Sequence, residues 1–425
     1  MKTAFSFLIA AKRCEIAGLQ QLALTSALVN ATGRLIHALQ RERGLSNLYL
    51  ASKGIRWGKE VREQVAECAE LQADVLACFD LLDTEAAKVG NGARLFSRIA
   101  YVLQGLSALP GLRQRVADQA WPTGQATGAY IHLINGLLAV VFEAADSASD
   151  PDISRCLVAL FNFMQGKEFA GQERATGSAL FAAGRPDNDG QQRLLHLIES
   201  QERCLQVFTD FASPPQRQAW ACAQRPEIMA GLERMRRILG TAGSQLDAGL
   251  SQAWFDICTQ RIDAMKQVEE AQAAELLALC QLRLAAAQQE LSAFESIEGR
   301  AANEDGDAAE SEFFSSGTSL QPPPVRLGES GQGYGPQVER SILELVQHQA
   351  RRLQLMGDEL DTVRASLNER KVIERAKGLL MAHRHLSEDA AHKTMRQMAM
   401  NQNRRLIEVA EAVLAMVEVL PGPER

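Results

Sequence analysis

Several things are scarce in this chain, and each scarcity excludes a class of protein. The eight cysteines, Cys14, Cys68, Cys78, Cys156, Cys204, Cys222, Cys258 and Cys280, stand isolated. None forms a C-x-x-C and none neighbours a histidine at metal-ligand spacing, which reads as buried, reduced thiols of a cytoplasmic protein. The histidines are scattered too; His383-Arg-His385 has no third or fourth ligand nearby and reads as an exposed helix end. There is no Gly-rich phosphate loop and no credible Ser/His/Asp or Cys/His set, so neither an enzyme, a metal nor a cofactor is expected. β-branched alternating runs are nearly absent, which speaks against sheets. No stretch approaches the roughly 20 apolar residues needed to span a bilayer. Met1 to Ala11, followed by Lys12-Arg13, faintly resembles a signal sequence, but Ser6 interrupts it and no convincing cleavage site follows. The expectation is a soluble, cytoplasmic protein without a membrane partner.

What is present is helical. A chain of 425 residues has room for two or three domains, and 46% apolar residues is ordinary globular material. From Glu15 to about Phe294, apolar residues recur at three- and four-residue spacing, as in Ile16, Leu19, Leu22 and Ala23. Turns are expected at 51–54, 89–92, 109–111, 121–124, 149–151, 184–187 and 213–215, where Gly, Pro, Asn, Asp and Ser collect. Long helices with short polar breaks imply one or two antiparallel bundles. From Glu298 to Pro336 the apolar rhythm gives way to Gly, Ser, Pro and acids, the composition of a linker. Beyond it Ile342, Val346, Gln349, Leu353, Met356, Leu360, Val363 and Leu367 alternate four and three apart, the seam of a coiled coil and hence of a homodimer. The competing reading is a single amphipathic helix lying on its own domain. Three short helices close the chain: one running to Met381, one capped by Ser387, and one from Asn403 to Leu420.

Two stretches stand out within the helical region. Leu39-Gln-Arg-Glu-Arg-Gly-Leu-Ser46 is partly echoed by Gly171-Gln-Glu-Arg-Ala-Thr-Gly-Ser178. A mid-helix glycine such as Gly44 costs about 0.5–1 kcal/mol relative to alanine, so close approach of a neighbour is expected there. If the two segments pack face to face, Arg43 and Arg174 enter one pocket from opposite sides, and forked guanidiniums suit a flat oxyanion. Ordinary Glu–Arg helix pairing is the alternative. Charge shifts at the C-terminus: Arg364 to Arg405 carries ten Lys or Arg against four acids, in a chain whose formal charge is −7. Such a local basic cluster is an electrostatic footprint for a phosphate backbone, or else a solvated face.

The spelling then points further. Arg370-Lys-Val-Ile-Glu-Arg-Ala-Lys-Gly-Leu-Leu-Met381, Ser387-Glu-Asp-Ala-Ala391 and Leu406-Ile-Glu-Val-Ala-Glu-Ala-Val413 resemble the ANTAR domain, a three-helix RNA-binding module of bacterial antiterminators. Glu42-Arg43-Gly44 and Lys167-Glu-Phe-Ala-Gly-Gln-Glu-Arg-Ala-Thr-Gly177 resemble the NIT domain, an all-helical sensor of nitrate and nitrite. The resemblance implies an all-α chain: a sensor of two four-helix-type bundles over 1–297, a linker over 298–336, and a coiled-coil helix running into the RNA-binding domain over 337–425. It implies nitrate or nitrite as effector, held by Arg43, Arg174 and a third arginine, for which Arg236 is favoured among Arg234, Arg236 and Arg237. Gly44, Thr176 and Gly177 are expected as small neighbours, with Arg41 a further candidate behind Arg43. It also implies leader-RNA stem-loops as partner, contacted by Arg370, Lys371 and Lys377, with Arg396, Arg404 and Arg405 as weaker candidates. The C-terminal segment has no aromatic residue, which argues for contacts by charge and hydrogen bonds rather than stacking. An anion-sensing DNA-binding regulator is the alternative.

Overall fold

The computed structural model describes residues 4–82, 93–301, 335–384, 386, 388–402 and 404–419. The expected turn at 89–92, the Ser387 cap and most of the expected linker lie outside them. Every regular element described is a helix. The first bundle is α1 (Ala4–Ala51), α2 (Gly58–Asp80), α3 (Ala93–Ala117) and α4 (Thr123–Ser147). The second is α5 (Pro151–Ala183), α6 (Asn188–Phe211), α7 (Pro214–Ala223), α8 (Pro226–Thr241) and the long α9 (Leu250–Ala301). A 50-residue helix α10 (Gly335–Arg384), then α11 (Glu388–Gln402) and α12 (Leu406–Val419), form the C-terminal unit.

Local signals set the breaks. Asp150 caps α5, its carboxylate accepting from the Ile153 N–H at 3.0 Å, with Pro151 at the first helical position. Gly184 ends α5 at φ 66°, and Ser213 with Gln216 makes a capping box for α7. The break expected at 109–111 does not occur: α3 runs straight through Pro110. Pro110 is exposed, while Leu106, Leu109 and Leu112 keep the buried stripe of α3 intact, so packing outweighs the lost hydrogen bond. Cys14 and Cys222 are exposed, contrary to the expectation of uniformly buried thiols.

One large core joins both bundles, from Leu28, Leu35, Ile36 and Leu39 of α1 to Leu157 and Leu160 of α5 and Leu276 of α9. By length and composition Thr123–Asp146 is apolar enough to cross a membrane, contrary to the expectation that no stretch approaches that length. Its Ile134, Leu137, Leu138, Val140 and Val141 are all buried in this core. In the second bundle Phe163 meets Phe208 and Trp220 edge-on, with ring centroids 4.9 and 5.2 Å apart. Trp254 of α9 lies over Gly177 of α5 and donates from its indole nitrogen to the Arg174 carbonyl at 3.0 Å.

The C-terminal unit is docked on the sensor. Val363 and Leu367 are 1% and 2% exposed within the main core, and Leu360 is buried. This half of the expected coiled-coil seam is therefore used within the chain, as an amphipathic helix on its own domain; Leu353 is half exposed. The side chains of Ile342, Val346 and Gln349 lie outside the description. Farther along, α11 meets α6, where the His392 and His196 rings stand 4.9 Å apart and Lys393 donates to Gln192 at 2.8 Å.

Two stability tests follow. A Cβ on Gly177 would stand 2.3–2.5 Å from the Trp254 ring, whereas one on Gly128, in α4, meets nothing within 4 Å. Gly177→Ala should destabilise the sensor by about 1–3 kcal/mol and Gly128→Ala should stabilise it by up to about 1 kcal/mol, read from denaturation midpoints. Burial, reinforced by Arg203, His196, Lys377 and Arg396, pushes the His392 imidazole down to about 3. The folded, docked state thus carries its full stability above pH 6.5, the ordinary histidine value, and loses it as pH falls toward 3. Between pH 7 and pH 5 the loss should reach about 2 kcal/mol, measured by hydrogen exchange along α11.

Candidate functional site: an arginine pair between two bundles

The two sequence echoes meet where α1 passes α5. A Cβ on Gly171 of α5 would lie 3.0 Å from Arg43 Nη2, and one on Gly44 of α1 would lie 3.4 Å from Arg174 Nη2. Each guanidinium thus covers the glycine of the other motif. The close approach expected at Gly44 is present, and the approaching group is Arg174 itself.

Arg43 is 2% exposed and grips Glu168 with both terminal nitrogens, at 2.5 and 3.2 Å. Glu168 is fully buried and also accepts from Gln40 at 2.8 Å and Gln172 at 2.9 Å. Arg174 has a different environment. It donates to the Thr259 hydroxyl at 2.8 Å and lies over the Phe255 ring at 4.7 Å. Among the described residues no carboxylate lies within 4 Å of its guanidinium. Burial, and then the charge of Arg43, lower the Arg174 pKa from its ordinary value. A guanidinium does not lose its proton in a protein, so the cost remains as an electrostatic demand for an anion.

Behind the pair lies a second ionic layer. Lys167, fully buried, reaches Glu269 at 2.5 Å, and Lys266 stands 3.4 Å from the same carboxylate and 3.6 Å from Glu270. Burial, followed by the charges of Lys167, Lys266, Arg41 and Arg174, pushes the His37 imidazole down to about 2. His37 is therefore neutral, and its buried Nδ1 finds no hydrogen-bond partner among the described residues.

The acids of the two motifs serve their own bundles. Glu42 receives Arg113 at 2.9 and 2.8 Å and the Tyr130 hydroxyl at 2.7 Å, tying α1 to α3 and α4. Glu173 receives Arg236 through two 2.7 Å bonds and Gln201 at 2.5 Å, tying α5 to α8 and α6. Arg236 also donates to Glu233 at 2.7 Å. Burial opposes its charge, but the bonds and charges of Glu173 and Glu233 outweigh that and raise its pKa. The structure thus pairs Arg236 with carboxylates rather than with Arg43 and Arg174. Arg41 is also set apart: it is about half exposed and lies 3.5 Å from Glu67 of α2, because residues two apart point to different sides of a helix. Gly177 is covered by Trp254, so it serves helix packing rather than an anion. Thr176 is partly exposed on α5. Sequence reasoning missed Glu168, Thr259, Phe255 and His37. Only Glu168, inside the second motif, carried a local signal.

The expected RNA-contacting cations divide into two groups. Arg370 donates to Asn162 at 3.3 Å and lies over Phe161 at 4.7 Å, while Lys371 reaches Asp146 at 2.5 Å. Lys377 is buried and lies 2.9 Å from Glu374, and Arg396 pairs with Glu199 of α6. Arg404 and Arg405 are exposed, with Arg405 3.2 Å from Glu408. Arg370, Lys371 and Arg396 therefore face the sensor.

Comparison with known proteins shows to which families these segments belong. Residues 34–277 match the NIT family, described as nitrate and nitrite sensing, and residues 361–414 match the ANTAR domain. The chain is 32% identical over 407 residues to the nitrate regulatory protein of Klebsiella oxytoca, covering 96% of this chain and 93% of that one. It is also similar to the solved structure of the NasR transcription antiterminator, with TM-score 0.59, 30% identity, and coverage of 97% of this chain and 99% of that one. The matched NIT region contains both halves of the arginine pair, and the ANTAR match contains the docked basic helix. This chain belongs to the NIT family of nitrate- and nitrite-sensing proteins, with an ANTAR domain as its second module.

Proposed function

We propose that this protein is a nitrate- and nitrite-gated transcription antiterminator, a regulator rather than an enzyme, acting on leader RNA in the cytoplasm. The observation that carries this reading is the Arg43–Arg174 pair: a buried and a partly buried guanidinium, each against the other motif's glycine, with Glu168 the carboxylate that meets Arg43. Nitrate and nitrite are planar and monovalent, so they suit forked N–H donors. Thr259 takes one of the five donors of Arg174, which leaves enough for an oxyanion. Arg43, Arg174 and Gly44 are the first-choice contacts. Thr176 is a nearby candidate, and Arg236 holds the second bundle in the shape that presents Arg174.

Helix α5 supports a route from ligand to effector. It carries Glu168, Gly171 and Arg174 at the anion site, and Phe161 and Asn162 against Arg370. Asn162 and Arg174 lie about 18 Å apart along it. A switch requires an effector that favours one of two states. Here an anion that draws on Arg43 and Arg174 re-sets the α1–α5 contact, and with it the surface that holds Arg370 and Lys371. Released, these cations, with Lys377, Arg396, Arg404 and Arg405, form a basic face for an RNA stem-loop. The upper part of the α10 seam is then available for a homodimer contact.

Three outcomes test the reading. Arg174→Gln and Arg43→Gln should each weaken nitrate binding at least about tenfold in calorimetry, since each removes a charged hydrogen bond worth roughly 1.5–3 kcal/mol. Normal nitrate affinity in both variants would displace the site. Asp146→Asn and Glu199→Gln, which free Lys371 and Arg396, should raise readthrough of a leader terminator in vitro without nitrate. Arg370→Ala should lower RNA affinity and flatten its salt dependence by about one phosphate contact.

A further inference from the structure

Around the arginine pair the charges can be summed residue by residue. Arg43 and Arg174 supply two positives and Glu168 one negative. Behind them the buried Lys167 is met by the buried Glu269, and Lys266 at the rim by Glu269 and the exposed Glu270. His37 is neutral, and Asp263 and Arg41 are exposed to water. The arginine pair with Glu168 therefore carries a local surplus of one positive charge.

Glu168 also resembles the proposed ligand in chemistry. A carboxylate and a nitrate are both flat and monovalent, and both offer an edge of two oxygens to a guanidinium fork. Glu168 occupies such an edge on Arg43, and Gln40 and Gln172 hold it there with one bond each. An incoming anion must share the cluster with this fixed negative charge. At an effective dielectric near 20, a second full negative charge about 5 Å from a carboxylate is disfavoured by on the order of a hundredfold.

We infer that Glu168 is the specificity-determining residue of the anion site: by holding the surplus at one positive charge, it admits monovalent planar anions and excludes divalent ones such as sulfate. The inference rests on the nitrate-sensing reading and deepens it. Glu168 acts as a fixed pseudo-ligand, and Gln172, one turn further along α5, is neutral because a second acid there would cancel the surplus.

The test is calorimetric titration of the full chain with sodium nitrate and sodium sulfate at constant ionic strength, for the wild type, Glu168→Gln and Gln172→Glu. The wild type should take nitrate and not sulfate. Glu168→Gln keeps the side-chain shape, and Gln40 Oε1, which has no partner among the described residues, can turn to accept from the new amide. This variant should keep nitrate and gain at least about tenfold in sulfate affinity relative to nitrate. Gln172→Glu should lose nitrate affinity by about tenfold or more. An unchanged sulfate-to-nitrate ratio in folded Glu168→Gln overturns the role of Glu168 and leaves the anion site standing. Unchanged nitrate affinity in folded Gln172→Glu overturns the charge rule even if Glu168→Gln does not fold. Absence of nitrate binding to the wild type overturns the site itself.

Discussion

Withdrawing a guanidinium from water is unfavourable by several kcal/mol unless its hydrogen bonds and charge are met inside the protein. Burying a second one in part, at a neighbouring position, adds mutual repulsion. The α1–α5 crossing is organised around that difficulty. Glu168 answers Arg43 in full, with Gln40 and Gln172 fixing the carboxylate. Among the described residues, Arg174 is answered by a hydroxyl and an aromatic face, with no carboxylate in contact. The neutrality of His37 belongs to the same balance, since a third cation there would sharpen the repulsion.

The glycines explain how two large cations fit between helices. Side chains of α1 and α5 normally hold helix axes 8–10 Å apart. With no Cβ at Gly44 or Gly171, each guanidinium closes on the space a side chain there would fill. The acids beside the arginines turn the other way and tether each helix to its own bundle: Glu42 through Arg113 and Tyr130, Glu173 through Arg236 and Gln201. Each motif therefore has two faces. One face anchors its helix, and the other carries the arginine that meets the opposite motif.

The C-terminal module shares this economy of surfaces. Val363 and Leu367 extend the sensor core, and Arg370 stacks on Phe161 of the helix that also bears Arg174. An apolar stripe that suits a partner chain also suits the groove beside α5. A cation that suits a phosphate also suits Asn162, Asp146 or Glu199. The same side chains can therefore serve a docked and a released state, which a two-state switch requires.

Much of this was legible in the sequence, because helical periodicity, caps and turn residues are local. The apolar spacing announced the bundles, Asp150, Ser213 and Gly184 placed their ends, and Gly44 announced a close approach. The paired motifs foretold that Arg43 and Arg174 would converge. Pro110 misled, because a proline's local cost is visible in sequence while the burial that overrides it is not. Partner choice among charged groups was beyond the sequence as well. Arg236, Arg174 and Arg43 read alike as letters, yet one is paired with two acids, one with a hydroxyl and a ring, and one with Glu168. Gly177 likewise read as room for a ligand until Trp254, far along the chain, was seen to fill it. The chain by itself determined which segments are helices and which residues could meet. Only the packing of α1, α5 and α9 decided which charges are neutralised, because electrostatic energy in a desolvated interior depends on distances between residues remote in sequence.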